Sequence, residues 1–476
     1  MFRNFFSIII LLLLISATIL PAQNLNPMEQ LGKNIFFDKI SSPDRQACAS
    51  CHAPEVGFTG PIPGINLISA VYPGAVPTRA GNRKPPSAAY ATLSPIFHFD
   101  EEEGLFVGGN FWDGRATGEH LDNPAADQAL GPFLNPVEQN NASKKDVLMQ
   151  IADAKYADLW RDVWGEPIRY DTQVEIDNNY DRIGLAIAAY EGSVEVNQFT
   201  SKYDYYLDGE TELTEQEAWG LDLFEGKAQC SACHLSDPDE QNPPLFTDFT
   251  YDNLGTPKNP DNPVYESDPN YIDPGLGGFL ATRAEWADMV GENMGKHKVP
   301  TLRNVAKAPS KKFIKAYLHN GVFKSLEEVV HFYNTRDVES WPPPEVPENV
   351  NTDELGDLGL TMAEEEAIVA FMETLSDGYD LKNDKVKVNV HTNLKVTGAN
   401  PFNPTTQLTY SLTEDSHIQI NVYNTIGQKV TTLVNTYKSA GTYQVNFNAG
   451  NLASGIYYIR LYTKNGIQTQ KVSLVK

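Results

Sequence analysis

Cysteine is scarce in this chain: Cys48, Cys51, Cys230 and Cys233 are the only four in 476 residues. Basic charge is also short. Lys and Arg number 37 against 62 Asp and Glu, and a net charge of -25 disfavours nucleic acid and anionic membrane as partners. Long apolar runs are missing as well, apart from Phe5 to Leu20. That run follows Arg3 and precedes the small residue Ala22, so residues 1–22 read as a secretory signal cut near Ala22. No later run approaches the ~20 residues of a membrane helix, which predicts export through the inner membrane and no transmembrane segment after cleavage. A chain of this length exceeds what one core organises, so two or three domains are expected.

The cysteines are spent on two motifs, Cys48-Ala49-Ser50-Cys51-His52 and Cys230-Ser231-Ala232-Cys233-His234. Thiols three positions apart on one turn can each add to a vinyl group of the same porphyrin, and the next histidine then lies under the iron. The pattern predicts two covalently bound c-type haems, with His52 and His234 as iron ligands and no cysteine left for a structural disulfide. Two alternatives are a pair of disulfides or a zinc site built from two knuckles. Knuckles usually lie about 15 to 20 residues apart, and neither alternative explains a histidine after each pair.

The motifs sit in a duplication. Leu31-Gly32-Lys33-Asn34-Ile35-Phe36 matches Trp219-Gly220-Leu221-Asp222-Leu223-Phe224, with glycine and phenylalanine in register. Asn26 with Glu29 and Thr214 with Glu217 give each stretch a capping-box start. Ile183, Ile187 and Tyr190 in one half, and Ile368, Phe371, Met372 and Leu375 in the other, predict closing amphipathic helices. The polar stretch Ser201 to Gly209 places the join near 200–212. After Gly378 the period changes to two, as in His417-Ile418-Gln419-Ile420-Asn421-Val422, and Asn465-Gly466 is a hairpin signal. Charge changes too: residues 381–476 carry nine Lys and one Arg against three acids, so the preceding body sums to -32. Such a body would attract a cationic electron donor at low salt, or serve solubility alone. The expected fold is multidomain, with two mainly α-helical class I cytochrome c-like haem domains at 23–205 and 206–380. A small all-β sandwich at 381–476 follows them.

Phe111-Trp112-Asp113-Gly114-Arg115-Ala116, Asp127-Gln128-Ala129 and Asn135-Pro136-Val137-Glu138 resemble the central signature of the bacterial dihaem cytochrome c peroxidases. Lys298-Val299-Pro300-Thr301-Leu302-Arg303-Asn304-Val305 and Tyr317-Leu318-His319-Asn320-Gly321 resemble that family's second half, as does Ser325-Leu326-Glu327-Glu328-Val329-Val330. The same superfamily contains the dihaem enzyme that matures methylamine dehydrogenase. In the tail, Asn400-Pro401-Phe402-Asn403-Pro404 and Leu452-Ala453-Ser454-Gly455-Ile456-Tyr457 resemble the C-terminal sorting domain of the type IX secretion pathway. That resemblance implies the type IX machinery as a partner and a secreted or surface-held product, periplasmic if the sorting domain is unused. A carbohydrate-binding or adhesive sandwich is the competing reading of the tail.

The peroxidase resemblance implies hydrogen peroxide as substrate at the His52 haem, with Gln128 and Glu138 on its distal side. Trp112 would be the bridge between haems, and Arg115 and Arg303 would neutralise haem propionates. A calcium ion between the domains, a small electron-donor protein and a homodimer are further family traits. Two departures stand out. The stretch Val76 to Ser87 has no histidine to cap the peroxide iron, and His98 and His120 are the nearest substitutes. At the second iron, where the peroxidases have a methionine, Tyr333 matches the tyrosine ligand of the maturation enzyme. His331, Met294, Met362 and Met372 remain as alternatives. The expected activity is peroxide reduction. An oxidative protein-modifying enzyme and a non-enzymatic dihaem electron carrier are the other readings.

Overall fold

The computed structural model describes residues 24–238, 242–383, 393–412, 415–424, 428–463 and 466–476. The expected signal segment lies outside them, as does Asn465. The helical body has two halves. The first is organised by α1 (Pro27–Phe37), α2 (Pro124–Leu134) and α3 (Gln173–Glu191), and the second by α4 (Glu215–Glu225), α5 (Leu326–Thr335) and α6 (Met362–Glu373). Among the described residues no helix is long and apolar enough to cross a membrane.

Both leading helices begin as their sequences dictate. Asn26 accepts from the Glu29 amide at 3.0 Å and Glu29 accepts from the Asn26 amide at 2.7 Å, satisfying two donors that a helix start leaves orphaned. Thr214 and Glu217 repeat the device at 3.3 and 2.6 Å. The shared glycine then sets the packing. A Cβ on Gly32 would lie 1.8 Å from the Ala186 carbonyl oxygen of α3, and one on Gly220 would lie 1.9 Å from the Ala367 oxygen of α6. Only glycine lets each pair of helices cross at backbone contact. One turn on, Phe36 meets Tyr190 edge-on at 5.4 Å and Phe224 meets Phe371 at 5.1 Å. Leu31, Ile35, Ile183 and Ile187 complete one core, and Leu221, Ile368, Met372 and Leu375 the other. Each such buried side chain contributes about 1.5–3 kcal/mol.

The join differs from the expected polar turn. Residues Lys202–Leu207 form a helix capped by Ser201 and Asp204, and Tyr203 is buried against Phe246 and Phe371 at 5.5 and 5.4 Å. The segment reads as polar because its charges are all paired: Lys202 with Glu217 at 2.6 Å and Asp204 with Arg303 at 2.8 Å. A boundary at 205/206 therefore cuts a helix that packs with the second half. The halves meet through buried polar contacts, Arg83 with Asp273 at 2.6 Å and the Tyr90 hydroxyl donating to Asp377 at 2.8 Å.

The tail is all-β. Strands β1 (Asn393–Val396), β2 (Thr405–Leu412), β3 (Ser416–Tyr423), β4 (Lys429–Lys438), β5 (Gly441–Asn448), β6 (Gly455–Thr463) and β7 (Gly466–Leu474) form two antiparallel sheets, ordered β1-β2-β5 and β7-β6-β3-β4. Alternate residues such as Leu408, Phe447, Ile420 and Ile459 fill the space between them. The sandwich rests on α4 of the second half. There Arg460 of β6 pairs with Asp222 and Glu225, and the Tyr458 hydroxyl donates to Asp237 at 2.9 Å.

Candidate functional site

Each Cys-x-x-Cys-His motif folds as one tight turn. The His52 amide donates to the Cys48 carbonyl and the His234 amide to that of Cys230, both at 2.9 Å, which brings two thiols and an imidazole to one cavity wall. Each imidazole is then fixed by a carbonyl. His52 Nδ1 lies 3.2 Å from the Phe58 oxygen and His234 Nδ1 lies 2.8 Å from that of Phe246. A carbonyl only accepts, so Nδ1 carries the proton and Nε2 is the nitrogen available to a metal. Phe58 and Phe246 hold φ of 57° and 55°, a left-handed conformation unusual for phenylalanine that aims both carbonyls. All four thiols are free, and desolvation pushes Cys48, Cys51 and Cys230 up to about 12. Both cavities also hold buried polar atoms without hydrogen-bond partners, Gln139 Oε1 in the first and, in the second, the Nε2 atoms of His297 and His319, which face the Asp273 and Glu345 carboxylates at 3.4 and 3.7 Å. Covalent anchors, a metal donor and orphaned polar groups fit a c-type haem in each.

In the first cavity Gln128, Glu138, Arg115 and Trp112 share the lining with His52. Gln128 comes from α2, which Asn123 caps by accepting from the Ala125 and Ala126 amides. Glu138 sits in the turn after that helix. Its carbonyl accepts from the Ala75 amide at 2.6 Å, and a Cβ on Gly74 would approach the Val137 oxygen to 2.4 Å, so residues 74–75 clamp the turn. Desolvation raises the Glu138 carboxyl, opposed by Arg115 and Asn135. Arg115 itself lies over the Phe111 ring at 3.9 Å and pairs with Asp113 at 2.7 Å, at the exposed rim. Among the described lining residues there is no second imidazole and no thioether. His98 bonds to the Ile96 carbonyl and His120 to Asp181, both at the surface. Sequence reasoning missed Glu191, at the end of α3. It is buried in the same lining, has no ion-pair partner among the described residues, and is pushed up to about 8 by desolvation.

In the second cavity, Tyr333 and Met372 line the space with His234. The other candidate ligands do not. His331 bonds to Glu365 at 3.0 Å and is 41 % exposed, Met362 is 77 % exposed, and Met294 packs under Gly277. Desolvation first, and the neighbouring sulfurs second, push the Tyr333 phenol well up. Arg303 is not free for a propionate. Its guanidinium is buried and bidentate to Asp204 at 2.8 and 3.1 Å, with Nε on the Pro244 carbonyl. This pairing is not legible in the sequence because Asp204 lies far upstream. At the far end of the cavity His297 and His319 stack at 3.6 Å and 8°, beside Asp273 and Glu345. A metal lies in the plane of each imidazole that binds it. Two parallel rings share no such plane, so the two imidazoles cannot both bind one ion in this arrangement.

Trp112 lines both cavities and a third between them. Its Nε1 donates to the Lys84 carbonyl at 2.9 Å, and its own carbonyl accepts from the Lys298 amide at 2.9 Å, so each half grips the indole residue once. Desolvation lowers Lys84 to about 8 and Lys298 to about 7. The loop at 306–316 brings in Lys315 beside the third of these cavities. Its ammonium donates to the carbonyls of Val56, Asn304 and Lys307 at 3.0, 2.8 and 3.2 Å.

Known proteins resemble this chain in sequence and fold. A profile of the di-haem cytochrome c peroxidases matches residues 26–212, and one of the secretion-system C-terminal sorting domain matches residues 400–475. The methylamine utilization protein MauG of Paracoccus denitrificans is 33% identical over 366 residues, spanning 73% of this chain and 88% of that protein. Cytochrome-c peroxidase IdrP2 of a Pseudomonas species is 30% identical over 75% of this chain and 83% of its own. The crystal structure of the diheme peroxidase BthA from Burkholderia thailandensis superposes with a TM-score of 0.63 at 32% identity, covering 74% of this chain and 87% of that one. The last 76 residues matched are thus a type IX sorting domain. The chain belongs to the di-haem cytochrome c peroxidase family.

Proposed function

We propose that the protein is an exported peroxidase that reduces hydrogen peroxide to water at the His52 cavity, with electrons entering through the His234 cavity and crossing at Trp112. Each half would be a class I cytochrome c-like haem domain. A bound haem supplies the iron that receives peroxide and the redox equivalents. The chain's own residues do the rest. Cys48, Cys51, Cys230 and Cys233 would anchor the groups, and His52 and His234 would each offer Nε2 to the iron. Glu138, as carboxylate, takes the proton from the near peroxide oxygen and returns it to the far one, which leaves as water. The raised affinity of this carboxyl for protons suits both halves of that transfer. Gln128 offers an amide to hold the peroxide in register, and Trp112 provides an aromatic path between the cavities. Two electrons and two protons convert each peroxide to two waters.

The observation that carries this reading is the first cavity's lining, which combines Glu138 and Gln128 with His52 and, among the described residues, no competing imidazole or thioether. Steady-state turnover with a reduced small c-type cytochrome tests it: rapid peroxide consumption is expected, and its loss in Glu138→Gln. An electronic spectrum without high-spin haem in either redox state would instead select an electron carrier.

A second reading has its own support, Tyr333 in the His234 cavity. An anionic phenolate would lower that haem's potential and favour oxidised iron, which suits removal of electrons from a protein side chain. A doubly oxidised state that is stable and turns over poorly with small cytochromes would favour it. The sorting domain supports a secreted or surface-held location, and the acidic body supports a cationic donor.

A further inference from the structure

The third cavity has a composition that neither motif explains. Its lining contains no cysteine and neither motif histidine, yet it adjoins both haem cavities, sharing Lys84 with the first, Lys298 with the second and Trp112 with both. Four cations face it: Lys84, Lys298, Lys315 and Arg303. Arg303 is neutralised by Asp204. The three ammonium groups pair with no carboxylate among the described residues and are met by neutral oxygens instead. Lys84 donates to Thr59 Oγ1 at 3.3 Å and the Pro85 carbonyl at 3.1 Å; Lys298 donates to Ser94 Oγ at 2.6 Å and to the carbonyls of Gly108 and Gly109. Three desolvated cations around one cavity are costly unless a counter-charge completes the site.

A c-type haem brings that counter-charge. Its two propionates leave from the porphyrin edge opposite the vinyl positions, hence away from the cysteine anchors. In this chain each shared lysine lines both its own haem cavity and the third space, whose lining holds no cysteine. We propose that Lys84 holds a propionate of the haem attached at Cys48 and Cys51, and Lys298 one of the haem attached at Cys230 and Cys233. This makes the third cavity a shared carboxylate–ammonium chamber behind Trp112. The assignment replaces Arg303 with Lys298 and adds Lys84 to the expected anchors. It rests on the reading that both cavities carry c-type haem. It also gives each lysine a role selective for its own haem, because a cation beside a propionate favours the reduced iron of that porphyrin and is screened from the other by distance.

Lys84→Gln and Lys298→Gln, with Lys84→Arg and Lys298→Arg as charge-retaining partners, test it in the whole protein. Covalent haem is counted first by the pyridine haemochromogen spectrum. Two per chain keep the haem reading intact, and none would sink that reading separately. Redox titration should then show Lys84→Gln lowering the potential of the high-spin haem alone and Lys298→Gln that of the low-spin haem alone, with recovery in each arginine variant. The propionate-bending band in resonance Raman should shift for the same haem. Unchanged potentials and bands with both haems attached would overturn the proposal, as would equal shifts of both haems in either variant. Infrared difference spectra of the unaltered protein, carrying haem labelled with ¹³C at its carboxylates, need no variant. Ionised carboxylate bands that move in heavy water are expected, and protonated carboxyl bands would refute the ammonium pairing.

Discussion

The two halves of the body share a scaffold down to single atoms and part company at one wall of each cavity. Gly32 crosses α3 at Ala186 as Gly220 crosses α6 at Ala367, and Tyr190 stands where Phe371 does. The same register sets Glu191 against Met372, and both line their cavities. One half therefore places an acid where the other places a thioether. The remaining differences come from segments outside the repeat: the α2 turn carries Gln128 and Glu138 to the first cavity, and α5 carries Tyr333 to the second. Duplication kept the Cys-x-x-Cys-His turns and the helix crossings, and divergence in the facing wall leaves desolvated carboxyls in one cavity and a thioether with a phenol in the other.

The largest expected effect is on the first wall. Glu138→Gln should cut peroxide turnover by about 10²–10⁴, the usual contribution of a positioned general acid–base, while the spectrum of the His234 haem stays as it was. Stopped-flow reaction with peroxide and the oxidised spectrum check both parts. A variant that turns over normally would erase the distinction between the walls. Turnover in the unaltered protein should also rise with pH through a midpoint above the ordinary carboxylate range, since desolvation favours the protonated form of Glu138. That limb should vanish in the glutamine variant.

The second wall is addressed by Tyr333→Phe. Resonance Raman of the oxidised protein should lose a phenolate band, with the second haem's potential rising, while the first haem's reaction with peroxide is unchanged. Met372→Leu should keep the band. The reverse outcome would move the ligand to Met372 and make the second half resemble the plain peroxidases.

Shared scaffold predicts shared cost. Gly32→Ala and Gly220→Ala each force a methyl against a helix carbonyl, and overpacking of this kind costs about 1–3 kcal/mol or more. Thermal unfolding should show comparable losses for the two variants. A large loss in one and none in the other would mean the crossings are not equivalent. Glu191 supplies a pH test with a definite sign. Its carboxyl titrates near 8 when folded and near 4.5 otherwise, so the folded state holds a proton that the unfolded chain releases in that window. Its contribution to stability is complete below pH 4.5, declines as pH rises to about 8, and is flat above. Glu191→Gln should remove that slope, whereas Met372→Leu should not touch it.

Much of this comparison is legible in the sequence because it depends on local rules. Capping boxes, a glycine before a phenylalanine, and Cys-x-x-Cys-His each act within a few residues, and the tail's alternation declares its sheets. What was not legible depends on distant partners. Arg303 looked free until Asp204 met it across the second core, and Lys202 to Asp204 looked like a linker because their charges are paired. His331 and Met362 were credible ligands until the helix phase turned one toward Glu365 and the other toward solvent. Lys84 and Lys298 belong to motifs in different halves, and their common cavity exists only once the halves are joined.

The smallest effect concerns the tail, and it too divides the halves. Arg460 reaches Asp222 and Glu225 on α4; the positions in register with them on α1 are Asn34 and Phe37, which offer no charge. The sorting domain can therefore dock on one member of the repeat and not on the other. Arg460 is 20 % exposed at its side chain, so the pairing is partly shielded, and its removal should cost about 1 kcal/mol of docking. Hydrogen exchange on the Arg460→Ala variant is the measurement: amides of α4 should exchange faster, those of α1 should not change, and added salt should bring the unaltered protein towards the variant. Peroxide turnover should remain at its original value, because Arg460 lines none of the three cavities. Equal changes in α1 and α4 would show that the acids of α4 are not what selects the docking face.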